Sequence, residues 1–285
     1  GYDGSDYEIF FYDGSSIQQI TNNSRGDENV KIDNNDNIVW LIRDGTDSEV
    51  MLYNGGTTTQ ITNNTTDDEF AELNNGKIVW RGYNSVSGNT DIYLYDSGVI
   101  DQITSNSYND DYPQINSNGQ IVWVANDAPS SYQIYFYDGM TIQNISNNSL
   151  NNSSPQINDS GEIVWSANDE IFYYDGSATL QLTNNTFIDS TPLIDSQGNI
   201  VWGGFDGNDW EIYYFDGISI EQLTDNIYDD LNYSISPSGN IVWQSFDGND
   251  DEIFLALKNA PVPEPSTLFL LGAGFVLFTF CGRKK

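Results

Sequence analysis

Apolar and aromatic residues occur in short runs throughout residues 1–260, and Gly, Asn, Asp or Ser bounds each run. The runs are rich in β-branched and aromatic side chains, which predicts short strands, and none sustains a helical period. The clearest run, Ile-Val-Trp, occurs six times at spacings of 37 to 43 residues, at 38–40, 78–80, 121–123, 163–165, 200–202 and 241–243. This period predicts one duplicated supersecondary unit that buries its apolar faces against its neighbours.

Each repeat contains four predicted strands. In residues 113–146 the runs are Pro-Gln-Ile, Ile-Val-Trp, Gln-Ile-Tyr-Phe-Tyr and Ile-Gln-Asn-Ile. Tight turns are predicted at Asn118-Gly119, between the first two strands, and at Asp138-Gly139, before the fourth, because glycine adopts positive φ without strain. Four-stranded units of this length predict an all-β fold, a β-propeller. A β-solenoid is the alternative, although its coils are usually much shorter.

The order of motifs within the repeat resembles the TolB-type, WD40-like propeller repeat. Pro, Ile, Asn and Gly precede Ile-Val-Trp, and an Asp-Gly loop, Glu-Ile-Tyr, an Asp-Gly turn and Gln-Leu-Thr follow it. The resemblance covers about residues 7–257 and implies four-stranded propeller blades. The family's Ser-Pro-Asp-Gly turn is replaced here by Asn-Ser-Asn-Gly or similar, and 236–239 is the nearest copy. That departure changes the turn and leaves the fold assignment intact.

The number of strands predicts seven blades in residues 1–258, with the first blade truncated. The third-strand run occurs seven times and the other three runs occur six times each. A six-bladed ring closed by residues 17–21 is the alternative. Residues 1–10 align with 204–213, which follow an Ile-Val-Trp run. We therefore expect the chain to begin inside a repeat, with a signal peptide and at least two strands upstream.

The C-terminal region has a different composition from the repeats. Residues 266–282 carry no charge and are followed at once by Arg283, Lys284 and Lys285. This pattern predicts a short transmembrane helix at 266–282, near the lower length limit, after a linker at 259–265. The basic cluster predicts a cytoplasmic tail at 283–285 and places the repeats on the other side of the membrane.

Pro263, Glu264 and Pro265 precede this segment. Together with the apolar span and the basic cluster, they resemble the PEP-CTERM sorting signal of Gram-negative bacteria, over residues 261–285. The resemblance implies recognition by exosortase, a membrane-embedded processing enzyme, and export in bacteria that typically build exopolysaccharide. A plain membrane anchor is the alternative. In both cases we expect an exported protein, which after processing lies at the cell surface or in the extracellular matrix.

Charge and composition exclude several classes of function. The chain has 42 acidic and 9 basic residues, a net charge of −33, so its surface would repel nucleic acid. It has no histidine, and its one cysteine, Cys281, lies in the apolar tail. Ser-His-Asp triads, histidine-ligated zinc, disulfides and a thiol nucleophile in the repeats are therefore excluded, and no catalytic residue is predicted.

Acidic loops follow the second strand of several repeats, and carboxylate and amide oxygens are ligands for Ca²⁺. The loop spacing differs from the EF-hand pattern, and solvated turns are the favoured interpretation. No cofactor is otherwise predicted. The candidate calcium ligands are Asp206, Asn208, Asp209, Asp247, Asn249 and Asp251.

A second acidic series precedes the first strand, as in Asp67-Asp68-Glu69 and Asp229-Asp230. Its repetition argues against a unique catalytic pair, and we predict that these residues cap backbone turns. The tryptophans of the Ile-Val-Trp runs are predicted to be buried between blades rather than to form sugar-stacking sites. Trp210 precedes a third strand and is the better candidate for exposure.

These observations favour a non-enzymatic, exported propeller that acts as a binding or structural protein of the cell surface or exopolysaccharide matrix. Exosortase, the membrane through 266–282, and polysaccharide or surface proteins are the expected partners. A calcium-dependent carbohydrate-binding propeller is one alternative. A carboxylate-based enzyme that degrades polysaccharide is another, and it would require one converging acid pair that breaks the repeat pattern.

Overall fold

The computed structural model describes residues 1–258, except 3, 5, 44, 46, 129 and 130, together with the backbone of 277–279. These residues form 26 strands, and no helix occurs in the described part of the chain. The chain divides into two compact units, Gly1–Asn151 and Asn152–Lys285.

The first unit contains one two-stranded sheet and three four-stranded antiparallel sheets. The two-stranded sheet consists of β1 (Phe10–Tyr12) and β2 (Ile17–Gln19). The four-stranded sheets are β3 (Asp27–Ile32), β4 (Ile38–Arg43), β5 (Ser48–Tyr53) and β6 (Thr58–Gln60); β7 (Asp68–Asn74), β8 (Lys77–Asn84), β9 (Asn89–Asp96) and β10 (Val99–Gln102); and β11 (Asp110–Ile115), β12 (Ile121–Ala128), β13 (Ser131–Tyr137) and β14 (Ile142–Asn144).

The second unit contains three sheets of four strands. The first two are β15 (Asn152–Ile157), β16 (Ile163–Ala167), β17 (Glu170–Tyr174) and β18 (Thr179–Gln181); and β19 (Asp189–Ile194), β20 (Ile200–Phe205), β21 (Trp210–Phe215) and β22 (Ile220–Gln222). The last consists of β23 (Leu231–Ile235), β24 (Ile241–Phe246), β25 (Asp251–Leu257) and β26 (Leu277–Thr279). Strand β26 pairs with β25 in parallel, whereas every other pair of strands is antiparallel.

A bulge interrupts the pairing of the first and second strands in every four-stranded sheet. A bulge changes the direction in which the adjacent side chains point. In each sheet a residue other than glycine lies at the bulge with φ between 49° and 55°, namely Asn29, Phe70, Tyr112, Ser154, Thr191 and Asn232. Strands β3, β7, β11 and β19 open with an aspartate, which lies just before the bulge.

The hydrophobic core lies between consecutive sheets within each unit. In the first unit, Val39 and Leu41 pack with Trp80 of the next sheet, and Val79 and Ile92 pack with Trp123. In the second unit, Val164 and Ile171 pack with Trp202, and Val201 and Ile212 pack with Trp243. The six Ile-Val-Trp tryptophans are at most 2% exposed, which confirms their predicted burial.

Seven sheets, the first with two strands, confirm the predicted blade number and the short first blade. The sorting residues and the predicted linker and tail, 259–265 and 283–285, lie outside the described residues. So does the predicted transmembrane segment, apart from the backbone of β26. None of the described residues belongs to a helix with the length and apolar character needed to cross a membrane.

Candidate functional site

A network of buried polar groups connects consecutive sheets. Just beyond β18, the hydroxyl of Thr183 accepts a hydrogen bond from the backbone N–H of Ile171, at 2.9 Å. Two residues later, Asn185 donates its backbone N–H to Glu170 and its side-chain Nδ2 to Asp189, at 2.9 and 2.6 Å. The other oxygen of Asp189 accepts the indole N–H of Trp202, at 2.8 Å. One sheet is thereby joined to the first two strands of the next.

The indole bond recurs along the chain at 2.8 to 2.9 Å, between Trp40 and Asp27, Trp80 and Asp68, Trp123 and Asp110, and Trp165 and Asn152. The prediction that the second acidic series caps backbone turns is therefore wrong for Asp68 and its equivalents, which are buried. The bulge directs these carboxylates inward, toward the tryptophan. Asp67 and Asp229 accept the backbone N–H groups of Ser48 and Trp210, the first residues of β5 and β21, at 3.1 and 3.0 Å.

Burial shifts the titration of these carboxyls. It raises the pKa of Asp68 and of Asp110 to about 6, and the charges of Glu49 and Asp91 add to that effect. Hydrogen bonds from threonine, asparagine and tryptophan side chains oppose it. In these two networks the charge of the buried carboxyl is therefore costly in the folded state.

In the second unit, the loop between β20 and β21 gathers three carboxylates. Oxygens of Asp206, Asp209 and Glu211 lie within 4.8 Å of one another. One oxygen of Asp206 accepts the backbone N–H groups of Asn208 and Asp209, at 2.8 and 3.3 Å, which folds the loop back on itself. Gly207 permits this turn because its φ is +111°. Glu211 opens the buried part of β21.

Several oxygens of this group have no hydrogen-bond partner. The buried oxygens that lack a partner are both carboxylate oxygens of Asp209, Oε2 of Glu211 and Oδ1 of the adjacent Asp230. Burial and the charges of Asp206, Asp229 and Asp230 raise the pKa of Asp209. Burial also raises the pKa of Glu211 to about 7, and Asp230 contributes to the increase. The loop thus concentrates negative charge at a buried position.

A second group contains Asp247, Asp250 and Glu252, in the loop between β24 and β25. Here the two aspartates are exposed. The side-chain amide of Asn249 donates to Asp250 at 3.1 Å. The two groups have the same loop sequence, Asp-Gly-Asn-Asp followed two residues later by Glu, but differ in burial.

The structure brings together three of the six sequence-predicted calcium ligands in these groups, Asp206, Asp209 and Asp247. Asn208, Asn249 and Asp251 are exposed, and Asp251 belongs to neither group of carboxylates. Sequence reasoning did not identify Asp250 or the glutamates that lead the third strands, Glu211 and Glu252, as ligands. The signal was present, because Asp-Gly-x-Asp-x-Glu occurs at 3–8, 44–49, 206–211 and 247–252.

Grooves of similar composition occur at equivalent places on three sheets. Their volumes are about 560, 350 and 360 Å³. Each is lined by the asparagine and aspartate of the polar network, by the edge of the tryptophan and by an aromatic residue of the third strand, as with Asn185, Asp189, Trp202 and Tyr213. Trp210 is only half-buried and packs against Phe205, with ring centroids 6.0 Å apart.

Comparison with known proteins identifies the tail and the fold. Residues 261–285 match the PEP-CTERM protein-sorting motif. No curated protein matches the chain. The β-propeller domain of the Trilobed protease from Pyrococcus furiosus is 12% identical, covers 87% of this chain and 90% of that one, and has a TM-score of 0.56.

Two further solved structures are similar over a smaller share of their own length. A puromycin-hydrolyzing peptidase from Mycobacterium tuberculosis is 13% identical over 82% of this chain and 44% of that one, with a TM-score of 0.58. TolB from Acinetobacter baumannii is 15% identical over 77% of this chain and 60% of that one, with a TM-score of 0.46. This chain thus spans less than half of the peptidase.

These findings confirm an all-β propeller fold with a PEP-CTERM sorting motif at residues 261–285. The motif implies an exported precursor that is anchored in the membrane and recognised by exosortase.

Proposed function

We propose that this chain is an exosortase-sorted, non-enzymatic propeller that acts as a binding or structural protein of the cell surface or exopolysaccharide matrix. The observation that carries the proposal is the sorting motif at 261–285 on a chain whose described residues form propeller sheets. A sorting signal of this kind directs its cargo out of the cytoplasm. There the acidic repeats would contact other components of the cell surface or matrix.

The similarity between repeats supports a non-enzymatic role. Catalysis needs one special arrangement of residues, whereas the same indole–carboxylate network and similar grooves recur from sheet to sheet. Peptidases share the fold, but the 285 residues of this chain contain no histidine, so they supply no Ser-His-Asp triad. The recurring grooves are lined by both polar and aromatic side chains and would offer a polymer several equivalent positions.

Sorting is tested by producing the chain behind a secretory signal peptide in a Gram-negative host that contains exosortase. We expect the protein to leave the membrane fraction and to appear at the cell surface or in the matrix. Simultaneous replacement of Pro263, Glu264 and Pro265 by alanine should retain the protein in the membrane. The matched control is Asn259→Ala, just outside the motif, which should be sorted normally. Equal sorting of the triple variant and the control would contradict the assignment.

The exported protein then serves to test binding against catalysis. It is incubated with exopolysaccharide purified from the same host, and both co-sedimentation and the number of reducing ends are measured. We expect the protein to sediment with the polysaccharide while the number of reducing ends stays constant. New reducing ends would identify a polysaccharide-degrading enzyme and overturn the non-enzymatic proposal. Sorting without retention by polysaccharide would restrict the partners to surface proteins.

A further inference from the structure

The loop between β20 and β21 has the geometry of a cation site. Calcium takes six to eight oxygen ligands at about 2.3–2.6 Å, so two oxygens on one ion lie at most about 5 Å apart. The ligand oxygens of Asp206, Asp209 and Glu211, all within 4.8 Å of one another, satisfy that limit. Two of the three residues are held by secondary structure or by the turn, since Glu211 pairs with Gly204 in the sheet and Asp206 accepts two backbone N–H groups.

The burial of these carboxylates points independently to a missing positive charge. Asp209 is only 6% exposed, and neither of its carboxylate oxygens has a hydrogen-bond partner. Glu211 and Asp230 are fully buried, and each has one oxygen without a partner. An ionised carboxylate buried without compensation is strongly destabilising. The ion pairs formed by the described residues involve Lys31, Lys77 and Arg81, and none reaches this loop.

In another repeat of the same chain, a side-chain amide lies at the equivalent position. Asn89 lies two residues before Asp91, as Asp209 lies two residues before Glu211. The Nδ2 group of Asn89 donates to the backbone oxygen of Tyr108 at 2.8 Å and to the Asp91 carboxylate at 3.4 Å. An amide N–H group thus offers positive partial charge to the surrounding oxygens. Where the residue is aspartate, that N–H donor is missing, and a bound cation would supply the positive charge.

We propose that Asp206, Asp209 and Glu211 bind a calcium ion, with Asp230 of the neighbouring sheet beside it. All of the candidate ligands are oxygens, and calcium tolerates irregular, largely dehydrated oxygen shells, whereas magnesium retains several waters. The ion would neutralise the buried acids and join the β20–β21 loop to the start of β23. The role of this site is thus separate from the proposed function, because the ion would stabilise the fold whatever the propeller binds.

The group at Asp247, Asp250 and Glu252 is the natural comparison within the chain. It has the same loop sequence, but its aspartates are exposed, and the amide of Asn249 already donates to Asp250. Water solvates exposed carboxylates, so less is gained when an ion replaces that water. We therefore expect this group, unlike the Asp206 group, not to retain calcium at micromolar concentration.

The test compares the full chain with Asp209→Asn and Asp250→Asn, each stripped with a chelator and dialysed against micromolar calcium. Asn89 shows that asparagine is compatible with this backbone position. We expect Asp209→Asn to bind one calcium fewer per chain than the unaltered protein, by elemental analysis, and to show a smaller calcium-induced rise in Tm. The Asp250→Asn control should retain the wild-type calcium content. Equal calcium content in Asp209→Asn and the unaltered protein would overturn the proposal.

A second measurement keeps the test decisive if Asp209→Asn does not fold. Terbium replaces calcium at oxygen sites, and its emission is excited through nearby indoles such as that of Trp210, the residue after Asp209. The unaltered protein should show tryptophan-sensitised terbium emission that calcium displaces and that magnesium at the same concentration does not. Absence of such emission, or equal displacement by magnesium, would rule out a calcium site.

Discussion

A buried aspartate that accepts a tryptophan indole N–H is a residue-level feature that recurs along this chain. Asp110 is fully buried and accepts hydrogen bonds from Trp123 and Asn106, at 2.8 and 2.6 Å. Burial raises its pKa to about 6, and the charge of Asp91 adds to the increase. Asn152 accepts the indole of Trp165 without any charge. The hydrogen bond is therefore the shared requirement, and the charge is a cost.

The first prediction at this scale is a pH dependence. Because the folded-state pKa of Asp110 lies above its ordinary value of 3.8, the folded state binds the proton more tightly than the unfolded chain does. The free energy of unfolding should therefore rise as the pH falls from about 6 toward 4. The contribution of this carboxyl to the slope is at most about 1.4 kcal/mol per pH unit. Urea midpoints between pH 4.5 and 7.5 measure it.

The matched variants are Asp110→Asn, which removes the titrating group and follows the precedent of Asn152, and Asp101→Asn, on an exposed strand. Asp110→Asn should show a flatter rise of stability toward acid pH. Asp101→Asn should keep the wild-type slope. A pH profile that is identical in all three proteins would show that the Asp110 carboxyl titrates normally in the folded state.

Residue-level features differed in how far the sequence predicted them. The burial of the six tryptophans follows from their apolar neighbours and was predicted. The burial of Asp68 and Asp110 was not, because it depends on a bulge where Phe70 and Tyr112 adopt positive φ, at 53° and 54°. Bulky residues rarely adopt this conformation. Because neither glycine nor asparagine occupies these two positions, the sequence gives no signal for the bulge there. Tertiary contacts impose it.

At the scale of elements, the last strand of several sheets is short and depends on a side chain to fix its end. Strands β2, β6, β18 and β22 have three residues each, all exposed. Just beyond β18, the hydroxyl of Thr183 accepts the buried N–H of Ile171, at 2.9 Å. Ser146 does the same for Ile134 after β14, at 2.9 Å. The hydroxyl thus replaces a carbonyl acceptor that the neighbouring strand does not supply.

Valine preserves the shape of Thr183 but leaves the buried N–H group of Ile171 without its acceptor. We therefore predict that Thr183→Val destabilises the protein by about 1–3 kcal/mol. Thr183→Ser, which follows the precedent of Ser146, should cost less than about 1 kcal/mol, since only a methyl group is lost. Urea midpoints measure the difference, and hydrogen exchange at the Ile171 amide should accelerate in the valine variant alone. Equal stability of the valine and serine variants would show that this hydrogen bond contributes nothing.

The elements themselves were largely predictable from the sequence. The glycines of the predicted turns adopt positive φ, as at Gly119 (+81°) and Gly139 (+102°), because their sequence signals are local. The candidate site was only half predictable. Asp206 and Asp209 belong to an acidic loop whose sequence indicates calcium ligands, whereas Glu211 belongs to the Glu-Ile-Tyr run of the third strand, which carries no such signal by itself. Asp230 joins them only through packing of the next sheet.

At the scale of the whole molecule, unbalanced charge opposes folding. The net charge is −33, and three of the nine basic residues lie at 283–285. Among the described residues, only Lys31, Lys77 and Arg81 form ion pairs with acidic side chains. Most of the acidic residues therefore repel one another, and this repulsion is stronger in the compact state than in the unfolded chain.

We predict that Tm, measured in the presence of a chelator so that calcium makes no contribution, rises when NaCl is raised from 10 to 300 mM. The added salt shortens the Debye length from about 30 Å to below about 8 Å and screens the repulsion. Replacing three exposed acids by their amides, Asp36→Asn, Glu221→Gln and Asp225→Asn, should raise Tm at 10 mM NaCl and reduce its salt dependence. If salt and charge removal instead lowered Tm, attractive pairs would outweigh repulsion, and the acidic surface would itself stabilise the fold.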